Sequence, residues 1–278
     1  MSRIEHFKYR YPQQFGAPLA TRLKLIALLL LGLAVFIFGL HHIDFSLFRI
    51  FKGLNKLGEI LVLMLPPDPG WHGPFRDYMV AMVETVAIAF LGTLIAALLA
   101  FPLGFLAARN TTVHRLVLLV ARRSCDTLRS VDMLIWALIW INVVGLGPFA
   151  GVMAIICADI GSFGKLYSEA IETADRKAVD GVASTGGNRL HQIRFGILPQ
   201  VLPVMLSQVL YFFESNTRSA TIIGIIGAGG IGLILSEQIR MLEFQPLAFV
   251  ILLVLLTVML IDMLSTKLRT ALIGPKAH

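Results

Sequence analysis

Two charged side chains interrupt an otherwise apolar segment, and their spacing allows them to pair. Glu214 and Arg218 lie four residues apart within a predicted membrane span over residues 201–223. In a helix this spacing puts both on one face, with the Glu N-terminal to the Arg, which is the favourable order. Ionisable groups inside a bilayer cost about 2.5–3.5 kcal/mol on insertion scales, so they normally face a cavity or a partner. One interpretation is therefore a salt bridge in which each charge only neutralises the other.

A second interpretation is that this helix lines a path for an anion. Asn216 and Ser219 lie beside the two charges in the sequence, and Arg218 would give an oxyanion a weak, transient contact. Counting about 1.5 Å per residue from Val201 predicts that Glu214 and Arg218 lie in the outer half of the bilayer. On this interpretation the substrate pathway is formed by Glu214, Asn216, Arg218 and Ser219.

A glycine-rich stretch follows the same span. Gly227, Gly229 and Gly232 match the spacing of a dinucleotide-binding fingerprint, which works only between a strand and a helix of a βαβ unit. No such unit is predicted here. Glycines at these positions instead allow close backbone approach and a sharp reversal between two spans. We therefore predict that Gly227, Gly229, Gly230 and Gly232 form a gate or a close-packing contact.

Carboxylates in other spans leave a different class of transporter open. Asp159 and Asp262, together with Glu214, would be the proton-relay residues of an ion-coupled secondary transporter. Such residues more often cap or pair with neighbouring helices. Inverted internal repeats would favour the secondary transporter, and the sequence has no convincing pair of matching halves.

Catalysis, metal binding and nucleotide binding are not expected of this chain. The adjacent His41 and His42 cannot share one helix face, and no carboxylate stands at ligand spacing from them. Lys165 is followed by Leu166 rather than by Ser or Thr, so a phosphate-cradling loop is absent. No nucleophile–base pair is evident, which argues against a membrane-embedded enzyme.

The amino-acid composition indicates whether the chain folds in water or in a membrane. Of the 278 residues, 56% are hydrophobic and 15% are charged, whereas soluble domains carry about 25% charged residues. This excludes a disordered chain, a disulfide scaffold and a typical cytosolic enzyme. The predicted fold is an all-α polytopic membrane protein with six transmembrane helices, at about 25–40, 79–108, 132–146, 149–166, 201–223 and 247–264.

The basic residues predict the orientation of these helices. Most of the 24 Lys and Arg residues fall in the N-terminal segment, in 109–130, in 165–200 and in the C-terminal tail. Because cytoplasmic loops are rich in Lys and Arg, both termini are predicted to be cytoplasmic. The same loops account for the net charge of +7, so no nucleic-acid partner is expected. Residues 48–65 predict an interfacial helix on the outer face rather than a seventh span.

The longest cytoplasmic loop, 169–199, carries a small apolar stripe. Ala178, Val179, Val182 and Ala183 are at helical spacing and precede a Gly-Gly break, after which a second short amphipathic helix is predicted. An exposed apolar patch of this kind is typical of a docking surface for a partner protein.

This loop resembles the signature loop of the importer permeases of ABC transporters, which reads E-A-A, three residues, Gly, nine residues, I-x-L-P. Asp180-Gly181-Val182 stands at the E-A-A position, Gly186 is the signature glycine, and Leu198-Pro199 closes the match. The departures, with Gly196 in place of the isoleucine, are similar to the phosphonate and phosphite importer permeases. So are 144–151, 213–221 and 227–232, and the resemblance covers about 75–268.

The resemblance implies how such a chain works. The family's permease forms a dimer with a second copy of itself in the bacterial inner membrane and passes through alternating access. A cytoplasmic ABC ATPase dimer, which binds ATP and Mg, docks on the signature loop, and an extracytoplasmic substrate-binding protein delivers the ligand. The permease holds no cofactor and is not an enzyme. The coupling residues carried over are Ala178, Val179, Asp180, Gly181, Val182, Gly186, Leu198 and Pro199.

The resemblance also implies the substrate class and the division of the chain. The expected cargo is a small phosphorus oxyanion such as phosphonate, phosphite or hypophosphite, with another small solute as the alternative. Residues 1–74 would hold the N-terminal segment, the first span and the interfacial helix. Residues 75–268 would form the core permease domain, and residues 269–278 would form a cytoplasmic tail.

Overall fold

The structure is a computed structural model that describes residues 19–70, 73–112 and 114–273. Within these ranges every regular element is helical. The helices are α1 (Leu19–His42), α2 (Leu47–Leu63), α3 (Phe75–Ala107), α4 (Arg115–Arg129), α5 (Met133–Val144), α6 (Pro148–Glu172), α7 (Arg176–Ser184), α8 (Arg189–His191), a π-helical turn (Gln192–Ile197), α9 (Leu198–Ile225), α10 (Ile231–Met241) and α11 (Phe244–Ile273).

The chain divides into two compact units, Met1–Leu61 and Val62–His278. The first unit contains α1, whose apolar side chains are exposed from Leu23 to Phe38, as expected of a helix surrounded by hydrocarbon. It also contains most of α2, which interleaves Lys52, Lys56 and Glu59 with exposed apolar residues. The helix predicted from the periodicity of 48–65 is thus present, and with four charged side chains among its 17 residues it is not one of the candidate spans.

The number of spans depends on one bent pair of helices. Five helices of the described chain are long and apolar enough to cross a bilayer, and a sixth span exists only if α4 and α5, bent by 86°, count as one. Helix α5 has 12 residues, which rise about 18 Å and do not cross the hydrocarbon core. The bend follows Ser130, and Asp132 begins α5 by accepting a hydrogen bond of 2.8 Å from the backbone N–H of Leu134. The straight third span predicted at 132–146 is therefore replaced by this bent pair.

Small residues set the packing at the centre of the second unit. A Cβ added at Gly92 in α3 would lie 2.7 Å from Cβ of Ile155 in α6, and one at Gly104 would lie 2.6 Å from Cβ of Tyr167. Glycine and alanine at such contacts let two helix backbones approach closely, which is how helices associate where there is no water to drive them together. The α3–α6 pair is the scaffold against which α9 packs.

Helices α9 and α11 are longer than the sequence predicts. The span predicted at 201–223 lies within a longer helical segment, Arg189–Ile225, that includes the π-helical turn. Pro199 follows this turn, and it provides no backbone N–H and its ring clashes with the preceding turn. Helix α11 continues to Ile273, so Arg269 belongs to a helix and not to the start of a tail.

Candidate functional site

Glu214 lies at the centre of a cluster of three charges. Its Oε1 accepts a hydrogen bond from Nη1 of Arg218 at 3.1 Å, and its Oε2 accepts one from Nη2 of Arg269 at 3.2 Å. The side chain of Glu214 is 11% exposed, that of Arg269 25% and that of Arg218 48%. We call these three residues the charge cluster. Because two guanidinium groups face one carboxylate, the cluster keeps one net positive charge.

Arg269 changes how the predicted Glu214–Arg218 pair is understood. The pair is formed, but the sequence placed Arg269 in the tail and missed its contact with Glu214. Arg269 also stacks near the ring of Tyr211, at 5.9 Å from the centroid, and donates to Oγ1 of Thr266 at 3.2 Å. Its Nε is buried without a hydrogen-bond partner in the described structure. A second cation therefore competes for the carboxylate that the sequence assigned to Arg218 alone.

The same contact argues against the predicted depth of the cluster. Arg269 lies near the C-terminal end of α11, which the predicted orientation assigns to the cytoplasmic side, and its guanidinium reaches Glu214. The outer-half position counted from Val201 is therefore wrong under that orientation. The count failed because the helical segment begins at Arg189, so Val201 does not mark the edge of the bilayer.

Asn216 faces the opposite way, into the helical core. Its Nδ2 donates to Oγ1 of Thr93 at 2.8 Å and to Oδ2 of Asp159 at 2.5 Å. Asn216 is 2% exposed and Asp159 is 4% exposed. This network ties α9 to α3 and α6. The sequence left Asp159 as either a relay residue or a residue that pairs with a neighbouring helix, and nothing local to the sequence identifies Asn216 as its partner.

Ser219 occupies a third place. It lines a small cavity of about 160 Å³ together with Asp132, Met133 and Ile222. The four predicted pathway residues are thus separated. Glu214 and Arg218 belong to the charge cluster, Asn216 lies in the core, and Ser219 lies beside the start of α5. In this structure they do not converge on one cavity.

The glycine-rich turn joins α9 to α10 and is held by side chains from α3. The backbone N–H of Gly230 donates to Oε1 of Glu84 at 3.2 Å, and that of Ile231 donates to Oγ1 of Thr85 at 2.8 Å. Gly230 has a φ of +73°, which is unfavourable for any residue with a side chain. Gly227 and Gly229 likewise have positive φ values. The sequence did not indicate that Glu84 and Thr85 would accept these hydrogen bonds.

Gly232 lies at a close contact between α10 and α9. A Cβ at Gly232 would lie 2.1 Å from the carbonyl oxygen of Thr221 and 2.8 Å from Cα of Gly224. Both obstacles are backbone atoms, which cannot rotate away. Glycine at this position is therefore a steric requirement of the contact between the two helices.

Helix α7 of the signature loop turns two of its valines inward. A Cβ at Gly196 would lie 3.0 Å from Cα of Val179, and one at Gly187 would lie 2.8 Å from Cγ1 of Val182. Both valines are half-buried, Val179 against the π-helical turn and Val182 against Gly187, which precedes α8. The exposed coupling residues predicted in α7 are Ala178, Asp180 and Gly181.

Two large apolar residues that the sequence did not single out add to the exposed surface of this loop. Leu190 is 74% exposed and Phe195 is 58% exposed, although both are large and apolar. Of the two predicted coupling residues that follow them, Pro199 is exposed and Leu198 is half-buried. The signal for Leu190 and Phe195 was their place in the short amphipathic helix predicted after the glycine break. Such a helix leaves large apolar side chains exposed in the single chain where a partner covers them in the assembly.

Hydrogen bonds hold the loop as one folded piece. Asp175 caps α7 by accepting from the N–H of Lys177 at 2.9 Å, and Asn188 caps α8 by accepting from the N–H of His191 at 3.0 Å. Gln200 closes the loop, since its Oε1 accepts from the N–H of Asp175 at 2.9 Å. The loop therefore presents its exposed residues on a rigid support.

The other candidate chemistries find no assembled site. No group of three His, Cys, Asp or Glu residues within the described ranges could hold a metal ion. Of the carboxylates proposed for a proton relay, Asp159 is buried in the core, Glu214 is held by two arginines, and Asp262 is exposed on α11. These three residues do not form a connected chain of acids.

Comparisons with known proteins agree on one family. Residues 100–272 match the family described as binding-protein-dependent transport system inner membrane component. HtxC from Stutzerimonas stutzeri, named as a phosphite transport system permease protein, is 39% identical over 227 residues, which are 81% of this chain and 78% of HtxC. The phosphite transport system permease protein PtxC from the same organism is 35% identical over 218 residues, 78% of each chain.

A solved structure supports the fold alone. One chain of the MetNI methionine ABC transporter, in an inward-facing conformation, aligns with a TM-score of 0.62 at 18% sequence identity. The alignment covers 72% of this chain and 98% of that one.

Proposed function

Because the chain belongs to the binding-protein-dependent transport system inner membrane components, among the permease proteins of phosphite and phosphonate transport systems, we propose that it forms the transmembrane path of an ATP-driven ABC importer. Its substrate is a small phosphorus oxyanion: phosphonate, phosphite or hypophosphite. The observation that carries this proposal is the match to HtxC and PtxC over most of both chains.

The signature loop supports the ATPase partner. Its α7 is fixed by a cap and by Val179 and Val182, while Leu190 and Phe195 are exposed beside it. An apolar surface on a rigid support suits docking into a cleft of a cytoplasmic ATPase. ATP and Mg are bound by that ATPase, so this chain needs no cofactor and performs no catalysis itself.

The charge cluster supports an anionic cargo. Arg218 is half exposed, and Glu214 cannot neutralise it fully while Arg269 shares the same carboxylate. A positive side chain of this kind attracts an oxyanion without holding it tightly, which a transport path requires. The pathway role of Arg218 is thus retained, whereas Asn216 would stabilise the path from within the core and Ser219 would lie at its edge.

The assembly follows the family's scheme. A second copy of the chain completes the path, an extracytoplasmic binding protein delivers the ligand, and ATP binding moves the helices between outward and inward access. Both chain termini are cytoplasmic in the bacterial inner membrane. The turn over Gly227–Gly230, which contacts Glu84 and Thr85 of α3, is the candidate gate between α9 and α10.

The substrate class is tested by uptake in cells that express the whole transporter. Labelled phosphite and methylphosphonate should accumulate, whereas methionine should not. Arg218→Lys should keep part of this uptake because the charge remains, and Arg218→Gln should lose most of it. Arg49→Gln, which removes an arginine from α2, is the matched control and should transport normally. Accumulation of an amino acid without either phosphorus oxyanion would contradict the proposal.

A further inference from the structure

A strongly cationic groove lies between the connection of α3 to α4, helix α4 and helix α6. It encloses a cavity of about 620 Å³. Its walls carry five basic side chains, and we call this site the basic groove: Arg109, Arg115, Arg122, Arg123 and Lys165. The proposed transport cycle does not use it.

The nearby carboxylates are too few to neutralise the basic groove. Asp126 is shared between Nζ of Lys165 and Nη1 of Arg123, each at 3.8 Å. Glu172 is paired with Arg122. Lys165 also pairs with Glu169 at 3.9 Å, and Asp126 is shared with Arg129 as well. Three acids against the five bases of the groove still leave a surplus of positive charge around a cavity, which is the arrangement that concentrates anions.

Two of the arginines have no charged partner in the described part of the chain. The side chains of Arg109 and Arg115 form neither an ion pair nor a hydrogen bond with any described residue. The backbone of Arg109 is nevertheless fixed, because its N–H donates to Oε1 of Glu172 at 2.7 Å. Free guanidinium groups on a fixed backbone suit two-point hydrogen bonding to phosphate oxygens.

Apolar side chains on the same helix indicate which phosphate compound fits. Leu116, Leu119 and Val120 of α4 are between 54% and 68% exposed, and Leu119 also lines the groove. Buried Cys125 anchors the opposite side of α4 to α6, since a Cβ at Gly161 would meet its carbonyl oxygen at 2.5 Å. A basic helix with exposed leucines beside its arginines is typical of a membrane surface.

We propose that the basic groove binds the phosphodiester head group of an anionic phospholipid. The guanidinium groups hold the phosphate, and the acyl chains lie along the exposed leucines of α4. The predicted orientation puts the groove at the cytoplasmic leaflet, where basic pockets between helices bind such lipids. A free phosphate ion shares the head-group chemistry but would leave the leucines uncovered.

Native mass spectrometry of the full-length chain in detergent tests this site with defined lipids. The unmodified protein should retain phosphatidylglycerol and release phosphatidylcholine. Arg109→Gln with Arg115→Gln should weaken phosphatidylglycerol binding about tenfold or more, since each cation near an anionic surface contributes about fivefold. Arg176→Gln with Lys177→Gln removes two charges from α7, outside the groove, and should leave lipid binding unchanged.

Three results would overturn the proposal. The first is equal retention of the two lipids by the unmodified protein. This result does not depend on whether any variant folds. The second is full retention of phosphatidylglycerol by the Arg109/Arg115 double variant. The third is displacement of phosphatidylglycerol by millimolar inorganic phosphate, because the groove would then be a site for a free oxyanion.

Discussion

The members of the charge cluster differ in burial, so their removal should have unequal effects. Glu214→Gln leaves the poorly exposed Arg269 without its carboxylate, and Arg269→Gln removes one of the two hydrogen bonds to the buried carboxylate of Glu214. We expect each to cost about 1–3 kcal/mol of stability. Arg218 is half exposed and screened, so Arg218→Gln should cost less than about 1 kcal/mol. The unfolding temperature of the purified protein in detergent measures these differences.

Double variants separate a closed pair from a three-member cluster. Glu214→Gln with Arg218→Gln leaves Arg269 unpaired, so it should be about as unstable as Glu214→Gln alone. Glu214→Gln with Arg269→Gln removes both poorly exposed members and should recover part of the loss. Recovery by the first double variant instead of the second would refute the bridging role of Glu214.

The buried network around Asn216 predicts a different pattern. Asn216→Leu removes the donor to Asp159 and should destabilise the protein by about 1–3 kcal/mol. Asp159→Asn keeps a polar group that can still bond Asn216, and it should preserve both assembly and uptake. If Asp159→Asn assembles normally but no longer transports, the carboxylate acts in a proton relay and not in packing.

At the scale of elements, the contact between α9 and α10 depends on Gly232. Gly232→Ala would force a methyl group against backbone atoms, and we expect a loss of about 1–3 kcal/mol or more. Gly39→Ala in α1 is the matched control, because its Cβ would meet nothing within 4 Å and alanine favours a helix. Thermal unfolding of both variants in detergent compares them. Equal unfolding temperatures would show that α9 and α10 are not so closely packed.

The break in the signature loop makes a prediction about coupling. Gly186 has a φ of +80°, which a β-branched residue adopts only with strain but which asparagine tolerates. Gly186→Val should leave the chain inserted while the substrate-stimulated hydrolysis of ATP by the complex falls, and Gly186→Asn should retain most of it. Hydrolysis by purified complexes is the measurement. Undiminished coupling in the valine variant would rule out this loop as the docking element.

The order of the helices was predictable because it depends on local averages of about 20 residues. The contact of Glu214 with Arg269 was not, because it joins residues 55 positions apart and depends on the relative depth of α9 and α11. The helical stripe on α7 was recognised, but the inward turn of Val179 and Val182 required knowledge of the π-helical turn. Hydropathy identifies a membrane span from the local sequence, whereas the partner of a side chain on another helix depends on the tertiary structure.

At the scale of the molecule, the separate locations of the three intramembrane carboxylates favour an ATP-driven importer over an ion-coupled transporter. Asp159 bonds Asn216, Glu214 bonds two arginines, and Asp262 is exposed elsewhere. In the proposed importer, ATP hydrolysis would be coupled to transport through the cytoplasmic loop instead. The energy source, which is ATP for the importer and an ion gradient for the ion-coupled transporter, therefore distinguishes the two functions.

The most direct test is phosphite uptake into proteoliposomes that contain the permease with its ATPase and its binding protein. Uptake should require ATP on the cytoplasmic side and the binding protein outside, and it should persist when the proton gradient is collapsed. Gly186→Val should reduce this uptake in step with ATP hydrolysis. Uptake that proceeds without ATP and follows a proton or sodium gradient would contradict the account.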